Sequence, residues 1–289
     1  MPTPTPHSDA LHPVPARAPV HISPEPCADP ILIATARNAS RDAVMRMAWA
    51  LAARTHAGLQ IVNAAEDAPA VQLAVEGEVD QKADQLLAHA ARSGHARLVL
   101  VGRGRRGSVD RSRSDATVLR LLRQLDAPVY AIDPEAGALA RRVVVGIDFS
   151  ECATHAAQIA LDLVAPDATV TLVHVWTPSG EMTHWERTYE SAIPSLFEMV
   201  RPRLTAGPQV RIDTLTLASE FPSVALADVA RRAGADLVVA GTQGQGMENR
   251  VSIGSVATGL LRAAPCSYLC APPASVPCST GPRELFRPA

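Results

Sequence analysis

The sequence predicts an α/β protein with two consecutive domains, each built around a doubly wound parallel sheet. Short β-branched runs alternate with alanine-rich helical patterns between residues 31 and 272, as in β-α units that form parallel sheets. The pattern occurs twice, because the strand-like run at 31–34 recurs at 143–146, 112 residues later. A chain of 289 residues has room for two domains of ordinary size.

The first copy is predicted to be shorter than the second. Its strands are expected at 31–34, Leu59–Asn63, 71–75, Leu98–Gly102 and Val129–Ile132, and its first helix at 40–56. The stretch 64–70 is too short for a crossover helix between parallel strands. The first domain is therefore expected to be degenerate.

The second copy is predicted to have the complete set of elements. Its strands are expected at 143–146, 170–175, 210–217, 236–240 and 266–270, and three of its helices at 151–164, 223–233 and 255–263. A fourth helix within 181–204 is predicted from residues that recur at helical spacing, namely Trp185, Tyr189, Ile193, Leu196 and Val200. We expect the strand order 3-2-1-4-5 in both domains.

Proline content sets the outer boundaries of the two domains. Residues 1–30 hold nine of the 24 prolines and no periodic apolar pattern, and residues 273–289 are similar, so both are predicted to be disordered tails. The domains then span 31–134 and 141–272. No apolar run reaches the roughly 18 residues that cross a bilayer, and prolines interrupt any signal-like run near the start. We therefore expect a cytoplasmic protein that does not contact membranes.

Composition excludes several functional classes. The net charge is −2, and the ten aromatic residues are few for a protein that stacks nucleic-acid bases, so nucleic acid is not an expected partner. The chain has 26 arginines but one lysine, Lys82, and it contains no Gly-Lys-Ser/Thr triplet of a phosphate-binding P-loop. No metal-ligand spacing and no nucleophile–base pair of a dedicated hydrolase is present.

A candidate ligand site follows from the predicted strand order of the second copy. Ligands of open parallel sheets bind beyond the carboxyl ends of the strands, where the strand order reverses. Asp148 follows the first strand there, and a glycine-rich loop with Gly241 and Gly244 follows the fourth. These glycines are expected to permit positive φ and close backbone approach. Gly254 and Ser255 begin a helix, whose N-terminus favours an anion. Equally, the glycines could serve only tight turns and Ser255 only cap the helix.

The spacing Gly241-x2-Gly244-x9-Gly254-Ser255 resembles the ATP-binding pattern G-x2-G-x9-G-[ST] of the universal stress protein family. The runs VVVGIDFS at 143–150 and VTLVHV at 170–175 resemble that family's first two strands. The resemblance implies tandem domains of flavodoxin-like layering and ATP, with or without Mg²⁺, as the ligand. Asp148 would hold the ribose and the Val175 backbone would contact adenine. The triphosphate would lie along five residues: Gly241, Gly244, Gly254, Ser255 and Val256.

Two departures from the family pattern modify this expectation. Many nucleotide-binding members carry arginine where this chain has Gln243, so a positive charge near the phosphates is missing. In the first copy, Ala36 stands at the place of Asp148 and Arg105 at that of Gly244. The residue pair Asp115-Ala116 or Thr117-Val118 replaces Gly254-Ser255, and an aspartate near the phosphates would repel them. We therefore expect one competent site, in the second domain.

The function implied is that of an ATP-binding regulatory or signalling protein of the stress response. One alternative is a scaffold of the same fold that dimerises and binds no nucleotide. Another is a weak ATPase, since the resemblance allows slow ATP hydrolysis at most. Each domain is expected to expose its last strand, at Val129–Ile132 and 266–271, and exposed apolar edges tend to be paired or covered. This predicts an intrachain pseudo-dimer through the last strands. The sequence does not decide whether two chains also form a homodimer.

An arginine-rich loop follows the fourth strand of the first copy. Its residues 102–107, GRGRRG, fit the pattern G-x-G-x-x-G. A dinucleotide-binding fold would place that pattern after the first strand of a unit, so we do not assign it that role. Two interpretations of Arg103, Arg105 and Arg106 remain, a solvated basic loop or a contact with an anion or nucleic acid.

Overall fold

The computed structural model describes residues 30–35, 40–63, 88–89, 91–92, 96–178, 183–244 and 253–274. The expected third strand of the first copy, at 71–75, lies outside these residues. So do the expected tails, apart from residue 30 at the start and residues 273–274 near the end.

Nine strands and six helices form within the described residues. The strands are β1 (Ile31–Thr35), β2 (Leu59–Asn63), β3 (Leu98–Gly102), β4 (Val129–Ile132), β5 (Arg142–Gly146), β6 (Thr169–Trp176), β7 (Arg211–Ala218), β8 (Leu237–Gly241) and β9 (Ser267–Ala271). The helices are α1 (Arg41–Thr55), α2 (Val109–Gln124), α3 (Glu151–Leu163), α4 (His184–Val200), α5 (Pro222–Ala233) and α6 (Ser255–Ala263). Among the described residues, no helix is long and apolar enough to cross a membrane.

All nine strands belong to one sheet, in the order β2-β1-β3-β4-β9-β8-β5-β6-β7. The C-terminal half, β7-β6-β5-β8-β9, is parallel throughout and has the predicted order 3-2-1-4-5. The N-terminal half, β2-β1-β3-β4, is also parallel. The two halves join where β4 and β9 pair antiparallel, with Tyr130 opposite Leu269. The predicted α/β class with parallel sheets is confirmed, and the halves share a single sheet.

Helices cover both faces of the sheet, because alternate strand residues point to opposite faces. On one face, Ile33, Val145 and Leu172 pack with apolar residues of α1, α3 and α4. On the other face, Ala34, Val144 and neighbouring strand residues pack with α2, α5 and α6. The central strands of the sheet, such as β3, β4, β8 and β9, are therefore buried on both sides, which explains their almost unbroken apolar sequences.

Helix α4 lies within the predicted segment 181–204. Thr183 and Glu186 form a capping box that satisfies backbone groups at its start. Ile193, Phe197 and Val200 of this helix are buried against the sheet. Trp185, which fits the same helical spacing, is 72% exposed.

Candidate functional site

A cavity of about 320 Å³ lies beyond the carboxyl ends of β5 and β8. These two strands are neighbours in the sheet, and the helices that follow them pack on opposite faces, α3 on one and α6 on the other. The diverging helices leave a crevice between them, as parallel sheets do wherever strand order reverses. The cavity therefore occupies the position that the topology predicts for a ligand.

The structure brings all eight sequence-predicted site residues to this cavity. Its lining includes Asp148, Val175, Gly241, Gln243, Gly244, Gly254, Ser255 and Val256. Sequence reasoning missed the apolar residues that complete the wall, among them Val173, Pro222, Leu226 and Ala240. The cavity thus combines an apolar wall with a small number of polar groups, as small-molecule sites generally do.

The loop after β5 fixes the position of Asp148. The Ser150 backbone N–H donates to Asp148 Oδ1 at 3.0 Å. Between them, Phe149 has a φ of 63°, a left-handed conformation that is uncommon for a bulky residue. Ser150 then caps helix α3 by accepting from the Ala153 N–H. This turn directs the half-buried Asp148 side chain toward the glycine-rich loop.

A buried histidine, His174, holds the loop after β5 through a hydrogen bond to the Ile147 carbonyl. His174, on β6, has its Nδ1 2.8 Å from the Ile147 carbonyl oxygen. A carbonyl only accepts, so Nδ1 carries the hydrogen, and in the neutral ring Nε2 accepts from the Tyr189 hydroxyl at 3.0 Å. Burial lowers the pKa of His174, which favours that neutral ring. The Phe149 ring packs on His174 with their centroids 4.6 Å apart.

Both loop glycines lie so close to a neighbouring side chain that a β-carbon would collide with it. Among the described glycines, those with positive φ are Gly107 and Gly234. The expectation of positive φ at Gly241 and Gly244 is therefore wrong. A β-carbon on Gly241 would lie 2.7 Å from the Cys152 sulfur, and one on Gly244 would lie 2.7 Å from Asp148 Oδ2. The absence of side chains therefore lets the loop pack against α3 and lets the Asp148 carboxylate reach the cavity.

The N-terminus of α6 opens into the cavity. Gly254 is the N-cap residue and makes no side-chain cap, while Ser255 is the first helical residue and is exposed. The alternative in which Ser255 only caps the helix is therefore wrong. The Gly254 N–H donates to the Thr242 carbonyl at 2.8 Å, which ties the start of the helix to the strand end. The first turn of a helix has N–H groups without intrahelical partners, and with the helix dipole they attract anions.

Charged side chains are scarce around the cavity. Among the described residues that line it, Asp148 is the charged one, and none is lysine, arginine or histidine. Gln243, at the place where many family members have arginine, is buried. Backbone N–H groups and hydroxyls, and no side-chain cation of the described lining, would therefore contact a bound phosphate.

In the N-terminal half, the connection that follows β3 is shorter than the corresponding connection that follows β8. Residues 103–108 connect β3 to α2, whereas residues 242–254 connect β8 to α6. Helix α2 is accordingly longer, with 16 residues against nine in α6. Asp115 and Thr117 lie inside α2, so the expectation that one of these segments replaces a helix N-terminus at the phosphates is wrong. Ala36 lies outside the described residues.

The arginine-rich loop has a structural role that neither sequence interpretation anticipated. Arg103 is fully buried, and Arg111, on the first turns of α2, is 6% exposed. Arg103 pairs with Asp115 at 3.1 Å, and Arg111 pairs with Asp133 at 3.2 Å. Arg105 and Arg106 are exposed. The description as a solvated basic loop therefore fits Arg105 and Arg106 and is wrong for Arg103.

The same arginines also bind carbonyl groups of the C-terminal half, around the end of α6. Arg103 donates to the Leu261 carbonyl and, at 2.9 Å, to that of Cys266. Two further bonds go from Arg106 to the Ala263 carbonyl at 3.1 Å and from Arg111 to the Ala264 carbonyl at 3.3 Å. Carbonyls at a helix C-terminus lack intrahelical donors and favour cations. The degenerate loop of the first half thus caps the helix whose other end opens into the candidate site.

Comparison with known proteins agrees with the sequence resemblance. The profile of the universal stress protein family matches residues 140–272. A universal stress protein from Archaeoglobus fulgidus aligns at 15% identity and a TM-score of 0.52, over 85% of this chain and 96% of its own. A functionally unknown protein from Pseudomonas aeruginosa aligns at 15% identity and a TM-score of 0.51, over 84% of this chain and 81% of its own.

These structural likenesses establish the fold and no more, because the identities are low. A comparison with curated proteins found no match. The profile match, the strand order β7-β6-β5-β8-β9 and the fold shared with a universal stress protein agree over the same part of the chain. Residues 140–272 of this chain therefore match the universal stress protein family.

Proposed function

We propose that the chain binds one adenine nucleotide, ATP, in the cavity of its C-terminal half and acts as a regulatory or signalling protein of the stress response. The observation that carries the proposal is the convergence of Asp148, the Gly241–Gly244 backbone and the open N-terminus of α6 on one cavity. In that arrangement Asp148 accepts hydrogen bonds from the ribose hydroxyls. The phosphates lie along the loop toward Ser255, and the apolar wall beside Val175 covers the adenine.

The residues present fit a nucleotide in two respects. A β-carbon on Gly244 would lie 2.7 Å from Asp148 Oδ2 and displace that carboxylate, so glycine lets the loop present bare backbone where phosphates are to approach. The first-turn N–H groups of α6 supply donors for phosphate oxygens. Because the described lining contains no side-chain cation, Mg²⁺ bound to the triphosphate would offset its charge and strengthen binding.

Hydrolysis of the bound nucleotide is not part of the proposal. General-base catalysis needs a group within hydrogen-bond reach of the attacking water, and Asp148 is the titratable side chain in the described lining. The proposed role of Asp148 is to hold the ribose, at the end of the site away from the terminal phosphate. Phosphate release by the wild type that exceeds release by a Gly244→Val variant would instead favour the weak ATPase.

The two halves of the chain are proposed to form an intrachain pseudo-dimer. Its support is the antiparallel pairing of β4 with β9, since antiparallel last strands relate two parallel half-sheets by a rotation of roughly a half-turn. The carboxyl edges of the halves then point in opposite directions. In this arrangement the first half serves as a permanently attached partner domain that caps α6 through its arginine-rich loop.

The proposed contact between Asp148 and the ribose is tested by changing the carboxylate in the protein and by removing the ribose hydroxyls from the ligand. Asp148→Asn should weaken ATP binding about tenfold, because a hydrogen bond to a charged acceptor contributes about 1.5–3 kcal/mol. For the wild type, 2′,3′-dideoxy-ATP should bind about tenfold more weakly than ATP. In Asp148→Asn that preference should largely disappear. The measurement is an equilibrium titration followed by fluorescence of a labelled adenine nucleotide and its displacement.

The exposed Asp126, on the N-terminal half, provides the matched control. Asp126→Asn should keep both the affinity for ATP and the preference over the dideoxy form. If Asp148→Asn retains the full preference for ATP over 2′,3′-dideoxy-ATP, the ribose does not contact Asp148 and the assigned role is wrong.

A further inference from the structure

A second cavity, of about 590 Å³, lies where the two halves meet. It is bounded by residues that precede β5, β8 and β9, among them Arg141, Asp236 and Cys266. These residues lie at the amino-terminal ends of the strands, whereas the nucleotide cavity lies beyond their carboxyl ends. The two cavities are therefore on opposite edges of the C-terminal half-sheet.

The linker between the halves forms one wall of this seam cavity. Met47 and Ala50 of α1 form a second wall, and Ala165 and Pro166, after α3, form a third. Hydrogen bonds fix the linker at both ends. Arg46 Nη2 donates to the Ala136 carbonyl at 3.1 Å, and the Ala165 N–H donates to the Ala140 carbonyl at 2.9 Å. The cavity is thus bordered by elements that these hydrogen bonds hold in place.

Two hydroxyl groups line the seam cavity. Tyr130 is 1% exposed and lies in its wall. Its phenolic hydroxyl can both donate and accept a hydrogen bond. Ser267 Oγ accepts the Asp133 N–H at 3.0 Å, so its own hydrogen remains available to donate. These groups offer one ligand both a donor and an acceptor.

The charges around the seam cavity disfavour an anion. Asp133, Glu135 and Asp236 contribute three carboxylates to the lining. The arginine of the described lining is Arg141, whose guanidinium is paired with Asp167. Burial, with the nearby Asp133, raises the pKa of the Cys266 thiol to about 12, so this wall presents a neutral thiol.

Two of these three carboxylates have partners within the protein. Asp133 pairs with Arg111 at 3.2 Å, and Asp236 Oδ2 accepts the backbone N–H groups of Arg141 and Arg142 at 2.8 and 2.9 Å. A cationic ligand would therefore have to compete for them. Besides the exposed carboxylate of Glu135, the rest of the lining consists mainly of apolar side chains and two hydroxyls.

We propose that the seam cavity binds a small, uncharged organic molecule with an apolar body and one hydrogen-bonding group. Its volume lies within the range of about 300–1,000 Å³ that is usual for small-molecule sites. The apolar body packs between Met47, Ala50 and Pro166, and the polar group bonds the Tyr130 hydroxyl. This site is independent of the nucleotide site in position and in ligand chemistry.

Two dyes that share one aromatic skeleton test this proposal on the full chain. N-phenyl-1-naphthylamine is uncharged, and 1-anilinonaphthalene-8-sulfonate is the same molecule with a sulfonate. Titration followed by dye fluorescence should show the uncharged dye binding at least about tenfold more tightly. Tyr130→Phe, which removes only the hydroxyl, should weaken its binding about threefold. Saturating ATP should not displace it.

Variants that fill the cavity locate the bound dye. Ala50→Phe places a large side chain in the cavity and should abolish binding of the uncharged dye. Ala53→Phe, at an exposed position of the same helix, is the matched control and should bind normally. Should Ala50→Phe fold poorly, Ala138→Phe on the exposed side of the linker fills the same cavity. The proposal is overturned if the uncharged dye does not bind, if ATP displaces it, if the sulfonated dye binds as tightly, or if folded filling variants still bind it.

Discussion

Replacing Arg103 with methionine is expected to lower the free energy of unfolding by about 3–5 kcal/mol. The guanidinium is fully buried and pairs with Asp115, itself 8% exposed. Methionine fills a similar volume but leaves that carboxylate with less compensation. It also leaves the Leu261 and Cys266 carbonyls without the donors that Arg103 supplies. The measurement is equilibrium unfolding in denaturant at neutral pH.

Arg105 provides the matched control, since it lies two residues away in the same loop and is exposed. Arg105→Met should change the free energy of unfolding by no more than about 0.5 kcal/mol. A loss of less than about 1 kcal/mol in Arg103→Met would mean that the buried cluster does not hold the two halves together.

Replacing Gly244 with valine is expected to weaken ATP binding at least about tenfold, equivalent to about 1.4 kcal/mol. The new β-carbon would lie 2.7 Å from Asp148 Oδ2, so the carboxylate must turn away from the position where it meets the ribose. The branched side chain also occupies the space in which phosphates approach the loop. Because the displaced atom is the tip of a side chain, the stability of the fold should change little. Competition against a fluorescent adenine nucleotide measures the effect.

Gly207 serves as the control for this glycine substitution. A β-carbon there makes an ordinary contact, 3.6 Å from Val210, far from the nucleotide cavity. Gly207→Ala should bind ATP like the wild type. If Gly244→Val is folded and retains full affinity, the loop has only a structural function.

The periodic parts of the fold could be predicted from the sequence. The predicted ends of the helix at 151–164 and of the strand at 210–217 lie within one residue of the ends of α3 and β7. Local patterns suffice there because buried strands and amphipathic helices have distinct apolar periods. The segments that form the candidate site could also be located, because topology brings strand ends together.

The buried arginines could not be predicted from the sequence. Arg103 and Arg105 look alike in the GRGRRG run, and an isolated arginine is usually exposed. Arg103 is buried because its partners, Asp115 and the carbonyls at the end of α6, come from distant parts of the chain. A pattern of neighbouring residues does not contain that information.

The support behind Asp148 was missed for a related reason. His174 occupies an ordinary position in the VTLVHV strand, and its role depends on the Ile147 carbonyl and on Tyr189 of α4. A histidine inside an otherwise apolar strand was the available signal, since a buried imidazole needs hydrogen-bond partners. The left-handed Phe149 gave no signal, because glycine is the residue usually associated with that conformation.

In the proposed function, the C-terminal half of the chain binds a nucleotide and the N-terminal half does not. Calorimetric titration of ATP, with Mg²⁺ present, into the full-length chain distinguishes one site from two. We predict one ATP per chain, bound between β5 and β8, and no second binding event. Two comparable sites per chain, or no binding by the folded wild-type protein, would show that the C-terminal cavity is not the single ATP site of the chain.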